Sequence, residues 1–284
     1  MELRIIGSSG NACTPWPTCT CPLCMRARTL GGKDERYGNH LYIEELGLLT
    51  DASEHLFTRL NRFGVTDIRR LVISHWHPDH TAGLRIIQAL SGTFLRPDAN
   101  HLHLYLTRAV YEETRKKVSP ALDHYLENSN TTLTFLEDGA PLAFDGWIMT
   151  PVTAPQHLGG AHTITHFLFE HTGKRVFFAP DETKYLDLSR CELENLDLLI
   201  KECGYFTHGT DGVRIVPTTF ALEVPEEITF EETIAQLETI GPKRVILTEI
   251  EESFKRTHED YETLAARHAH LNLEFAYDNM TITL

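Results

Sequence analysis

A chain of 284 residues with 42% hydrophobic and 23% charged side chains can bury a sizeable core, which excludes a disordered or low-complexity protein. Its 40 acidic residues outnumber its 26 Lys and Arg, and the net charge of −14 sets a field against polyphosphate backbones and anionic membrane surfaces. No run reaches the roughly 18 apolar residues that span a bilayer, and residues 1–10 lack the basic start and apolar stretch of a secretory leader, so a cytoplasmic protein is expected.

In chain order, strand signals come first at residues 3–6, 41–45 and 48–51, the last two joined at Leu46-Gly47 as a tight hairpin. Between the first two lies a Cys-rich loop, residues 13–28, in which Cys19, Cys21 and Cys24 stand at i, i+2 and i+5. Three thiols so close suit a cation better than mutual disulfides, and they favour a reducing compartment. Helical periodicity follows at 54–63, a strand at 71–74, a helix at 82–90, a strand at 103–106 and a helix at 107–117. Strands at 148–152, 163–169, 175–178 and 196–200 lead to a helix at 230–240, a strand at 244–247 and a helix at 258–268. The order reads as two β-rich halves interleaved with helices, and no linker composition interrupts it, so a single domain over residues 1–284 is expected.

The strand at 71–74 runs straight into His75-Trp76-His77-Pro78-Asp79-His80, with a helical pattern behind it. In extended chain, residues two apart point to the same side, so His75 and His77 offer two imidazoles to one cation. Pro78 stops the strand, and the turn carries Asp79 and His80 round to a second position. Imidazole paired with carboxylate suits zinc, iron or manganese. A strand-to-helix turn this rich in donors is a ligand array and not a polar surface loop.

The hexapeptide resembles the His-x-His-x-Asp-His signature of the metallo-β-lactamase superfamily, and the resemblance extends over most of the chain. It implies an α/β fold, the αββα sandwich, and an active site in which two divalent ions (Zn, Mn or Fe) share a hydroxide. It implies further ligands at His157, which follows the strand 148–152, and at a bridging Asp181, which ends the strand 175–178. Asp51 matches the family's early Asp, which supports the site from behind the ligands. Where relatives read Leu-Thr-His, this chain reads Leu247-Thr248-Glu249. Glu249 in that place moves the second position towards manganese or iron, or leaves it weakened or empty.

The thiol spacing resembles the Cys-x-Cys-x-x-Cys loop of one branch of the superfamily. That branch holds the phosphoribosyl cyclic phosphodiesterase of the carbon-phosphorus lyase pathway and the B protein of pyrroloquinoline quinone biosynthesis. The resemblance implies a structural zinc on Cys19, Cys21 and Cys24, with Glu252 aligned to the branch's fourth ligand and His258 and Cys13 as competitors. The implied activity is hydrolysis of a small phosphorylated substrate, a phosphodiester that can be cyclic, with the hydroxide oriented by Asp79 or Asp181. The branch's proton donor aligns with Glu227, and His208 is the competing donor. His162, at the start of the strand 163–169, is placed to touch substrate, whereas His166 within it reads as a hydrogen-bonded sheet residue. Trp16 reads as a packing plug for the thiol loop. Two other readings keep these motifs: a lactone or thioester hydrolase, and a non-hydrolytic protein of cofactor biosynthesis resembling the quinone-pathway protein. Long nucleic acid and membranes are not expected partners, and self-association is compatible with all of these readings.

Overall fold

The chain lays down one sheet with its first half and a second with the rest. In the computed structural model, which describes residues 1–94, 100–155 and 163–284, the first sheet forms from β1 (Glu2–Ser8), β2 (Asn39–Ile43), β3 (Leu48–Thr50), β4 (Arg70–Val72), β5 (Leu102–Thr107) and β6 (Thr131–Leu136). The second forms from β7 (Leu142–Phe144), β8 (Trp147–Pro155), β9 (Thr163–His171), β10 (Lys174–Ala179), β11 (Leu198–Glu202), β12 (Val245–Thr248) and β13 (Leu273–Phe275). Strand β14 (Met280–Thr283) returns to the first sheet, so the orders are β14-β1-β2-β3-β4-β5-β6 and β13-β12-β11-β10-β9-β8-β7.

Period-two alternation puts each strand into two cores at once. On β10, Val176 and Phe178 meet Leu3, Ile5, Ile43 and Val72 of the opposite sheet, while Phe177 and Ala179 face the other way. The outward faces are covered by helices. In chain order the described helices are α1 (Pro22–Leu30), α2 (Leu56–Arg62), α3 (Pro78–Thr81), α4 (Ile86–Ser91), α5 (Arg108–Lys117), α6 (Leu122–Glu127), α7 (Phe220–Glu223), α8 (Phe230–Ile240) and α9 (His258–Arg267). Leu56, Ile87, Val110 and Leu122 pack on the first sheet, and Phe230, Leu237 and Tyr261 on the second. Two sheets between two helical layers make the αββα sandwich. Among the described residues, no helix is long and apolar enough to cross a membrane.

The helices start and stop where the side chains dictate. Thr229 caps α8 and Thr257 caps α9, each paired with an acid three residues on, Glu232 and Asp260, in reciprocal capping boxes. Gly241, at φ 62, ends α8. The helix expected over 82–90 forms only from Ile86, as α4, and residues 82–85 make a turn that separates it from α3. Gly83 sits at the break because a Cβ there would lie 2.0 Å from the Ser53 carbonyl oxygen, and its own N–H donates to Ala52 O at 2.7 Å. The Cys-rich loop also differs from expectation, since Pro22 opens α1 and the helix runs through Met25 to Arg28.

The topology gathers the chemistry at one edge. Strands β3, β4 and β5 run parallel, as do β10, β11 and β12. The segments after β3, β4, β10 and β12 therefore leave from carboxyl ends, where parallel sheets place their ligand sites.

Candidate metal centre

Asp51 follows β3 in the left-handed region, at φ 58, and is fully buried. Its Oδ1 accepts Ser74 N at 2.7 Å and Ser74 Oγ at 2.9 Å, fixing the end of β4 just before the histidines. Its Oδ2 lies 3.0 Å from His80 Nδ1, which aims the opposite nitrogen, Nε2, into the gap between the sheets. Around His80 Nε2 stand Asp79 Oδ2 at 3.5 Å, Glu249 Oε1 at 3.7 Å and Asp181 Oδ2 at 3.8 Å.

His75 is fully buried; its Nδ1 meets Ser74 Oγ, and its Nε2 has no hydrogen-bond partner. That Nε2 lies 3.3 Å from the same Asp181 Oδ2. Asp181 can present this oxygen because the Glu182 N–H holds its Oδ1 at 2.8 Å. His77 Nδ1 lies 3.3 Å from Glu182 Oε1. Two donors each about 2.1 Å from a tetrahedral ion are about 3.4 Å apart, so these spacings suit shared cations. The donors fall into two groups, His75, His77, Asp181 and Glu182 in one and Asp79, His80 and Glu249 in the other, each within 4.8 Å. Asp181 Oδ2 stands between them.

The electrostatics fit the same occupants. Burial, and then the imidazoles of His80 and His77, push His75 well below its ordinary value, so its lone pair is available to an ion. Burial alone would depress His80 as well, but Asp79 and Asp51 outweigh it and hold that imidazole well above. The centre opens on a cavity of ≈ 360 Å³ whose walls include Asp79, Asp181, Glu202, Glu227, Glu249 and Glu251. Burial and mutual repulsion lift Asp181 well above the carboxylate range, Glu249 to about 8 and Glu227 to about 9. Acids so placed cannot all ionise together unless cations join them.

A second cluster lies on the far side of the β12 loop. Glu252 Oε1 is 3.5 Å from Cys19 Sγ and 3.1 Å from both Cys21 Sγ and Cys24 Sγ, and Lys255 Nζ contacts the same oxygen. Three thiols and one carboxylate oxygen around a point match the donor set of a four-coordinate site. The competitors point elsewhere: Cys13 Sγ donates to Pro15 O, and His258 Nδ1 faces Arg36 at 3.2 Å. The Trp16 N–H donates to Cys24 Sγ at 3.2 Å, but the residue is 41% exposed, so its backbone closes the loop more than its ring does.

The structure brings Asp51, His75, His77, Asp79, His80, Asp181, Glu227 and Glu249 to one place. His208 is elsewhere: it is exposed on a different hollow with Arg256 and His268, its ring against Thr207 Oγ1. The chain turns outward after Tyr205, which lines the acidic cavity, and carries residue 208 away. His157 and His162 lie outside the described residues. His166 is buried with both ring nitrogens unpartnered, and is not the hydrogen-bonded residue expected. Sequence reasoning missed Glu182 and Asn39. Asn39 Nδ2 binds both Glu249 Oε2 and Pro180 O, which ties β2 to the ends of β12 and β10. The one available signal for Glu182 was an acid directly following Asp181.

This arrangement defines a class, the metal-dependent hydrolases built on the metallo-β-lactamase sandwich. The family model described as a β-lactamase superfamily domain matches residues 47–250, and the chain belongs to that superfamily. Among solved structures it resembles a diphosphatase of the PhnP family, with 18% identity, coverage of 100% of this chain and 97% of that one, and a TM-score of 0.75. It also resembles zinc-bound PqqB from Methylobacterium extorquens, with 16% identity, 100% of both chains covered and a TM-score of 0.74. The metallo-β-lactamase fold protein YhfI from Bacillus subtilis matches at 17% identity over 99% of this chain and 98% of that one, with a TM-score of 0.68. No curated protein matches the chain in sequence.

Proposed function

We propose that the protein hydrolyses small phosphodiesters at this centre, acting as a cytoplasmic enzyme on a single small substrate at a time. The observation that carries the reading is Asp181 Oδ2, held 3.3 Å from His75 Nε2 and 3.8 Å from His80 Nε2, as a carboxylate joining two ion sites is held. Two divalent ions, zinc, manganese or iron, supply an activated water and positive charge for the attacked group when bound. His75, His77 and Asp181 hold one position, with His157 as the family's further ligand, and Asp79, His80 and Glu249 hold the other. A structural zinc sits on Cys19, Cys21, Cys24 and Glu252 and fixes the loop on which Glu249 stands.

The chain's own groups supply the rest. Asp79 or Asp181 orients the attacking oxygen. Glu227, with its carboxyl pushed up to about 9 by burial and by Glu202 before cations bind, is the group placed to give a proton to the departing oxygen. No Lys or Arg is among the cavity's described lining residues, so beyond bound cations no side chain there answers the second charge of a monoester. A diester, with one charge, fits better than a monoester. The likeness to a protein described as a diphosphatase supports cleavage at phosphorus. The same acidic walls favour, as a second reading, an uncharged lactone or thioester. A non-hydrolytic role has less support, because the donors among the described residues are gathered in two adjoining groups.

The test is turnover of bis-p-nitrophenyl phosphate, a lactone and a thioester by chelator-treated protein restored with manganese, zinc or iron(II). Diester turnover that His77→Ala abolishes is the expected result. Lactone or thioester turnover alone would favour the second reading, and no turnover with any metal would overturn both.

A further inference from the structure

Glu182 is not among the ligands that the sequence resemblance supplies, yet the fold sets it against the first pair of histidines. Pro180 ends β10, Asp181 turns towards the cavity, and Glu182 takes the left-handed conformation, φ 49 and ψ 49, which reverses its side chain inward. The turn is clamped from behind, since Thr183 donates both its N–H and its hydroxyl to Glu202 Oε1. Glu182 is 2% exposed, its Oε1 is 3.3 Å from His77 Nδ1, and it groups with His75, His77 and Asp181 within 4.8 Å. A second observation points to an ion among these four: His75 Nε2 is fully buried, is aimed into the group and has no hydrogen-bond partner.

We propose that Glu182 binds the first metal directly, so that His75 and His77 share their ion with two carboxylates, and that this narrows the site's preference for zinc over manganese or iron(II). The inference rests on reading His75 and His77 as metal ligands. Carboxylate oxygen is a harder donor than imidazole nitrogen and tips a mixed site towards harder ions. Glu249 does the same at the second position, so each side of the centre has a carboxylate besides the shared Asp181. The thiol cluster, with its soft sulfurs, keeps its affinity for zinc.

The experiment uses the full chain, treated with chelator and titrated with manganese chloride, with loss of the free-ion electron paramagnetic resonance signal as the readout and zinc chloride as competitor. Wild type should take up two manganese ions. Glu182→Gln should bind one of them at least about tenfold more weakly, its manganese-to-zinc preference should fall about tenfold, and Glu182→Asp should recover part of the loss. Should Glu182→Gln fail to fold, an anomalous map of wild-type crystals grown with manganese chloride decides, with a Glu182 oxygen about 2.2 Å from the peak expected. Wild-type affinity in Glu182→Gln, or a peak with no Glu182 oxygen within about 3 Å, would overturn the inference and leave the hydrolase reading standing. No ion at His75 and His77 in wild type would overturn both.

Discussion

Asp51 Oδ2 meets His80 Nδ1 at 3.0 Å, while Asp51 Oδ1 holds the backbone N–H of Ser74, so one buried carboxylate sets both the tautomer of one histidine and the strand end that launches the others. Asp51→Asn keeps the shape but offers an amide N–H where an acceptor is needed. Groups that orient metal ligands are worth about 10–100-fold in affinity. The expected outcome is a loss of that size at the second site, together with about 1–3 kcal/mol of stability from the unsatisfied contact. Calorimetric metal titration and thermal unfolding measure the two separately.

Cys21→Ser removes one of three thiols converging on Glu252 Oε1. Elemental analysis of the purified variant should show one zinc fewer per chain, and its melting temperature should fall. An unchanged zinc content would mean that the thiol cluster holds no ion.

Glu227→Gln should reduce kcat by about 10²–10⁴ and leave KM within a few-fold, with the largest effect on substrates whose leaving groups are poor. The wild-type rate should fall as pH rises through the donor's pKa. That limb should lie at or below about 9, the value of Glu227 before bound cations lower it. Rate–pH profiles with a good and a poor leaving group check both points, and the alkaline limb should vanish in the variant.

His40, fully buried between Thr50 O and Ser53 Oγ, is pushed by burial to about 4. Folded protein therefore holds it neutral where the unfolded chain, near 6.5, would protonate it. Stability from this group is complete above pH 6.5 and is lost as pH falls through about 4, amounting to about 3 kcal/mol over the window. Thermal unfolding of metal-loaded His40→Gln should show a shallower acid-side decline than wild type, whatever its absolute stability at pH 7.

The strand-to-helix hexapeptide, Asp51 and the thiol loop were legible because each is short, local and tied to a strand end that periodicity can place. Glu182 was not, since its approach depends on a left-handed residue and on a clamp of Thr183 by Glu202, nineteen residues further along. Helix 82–90 misled for a similar reason, because its apolar spacing is helical but Gly83 must press against the β3 loop. His208 looked like a donor by residue type alone, and only the turn after Tyr205 takes it to another hollow. The edge strands β6, β7, β13 and β14 went unread; β7, β13 and β14 are only three or four residues long, too short for periodicity to place, even though β14 alternates Met280 and Ile282 inward with Thr281 and Thr283 outward.

Glu249 and Glu252 are strung on one short piece of backbone, pinned where Ile250 N reaches Ser8 O and Glu252 N reaches Ala12 O. With so little slack, a shift at the end facing the thiols would be felt three residues on, at the carboxylate facing His80. An ion held by the thiols, far from any substrate, would act as an anchor bolt for the working pair, and loosening it would blunt the catalyst without touching a reacting atom.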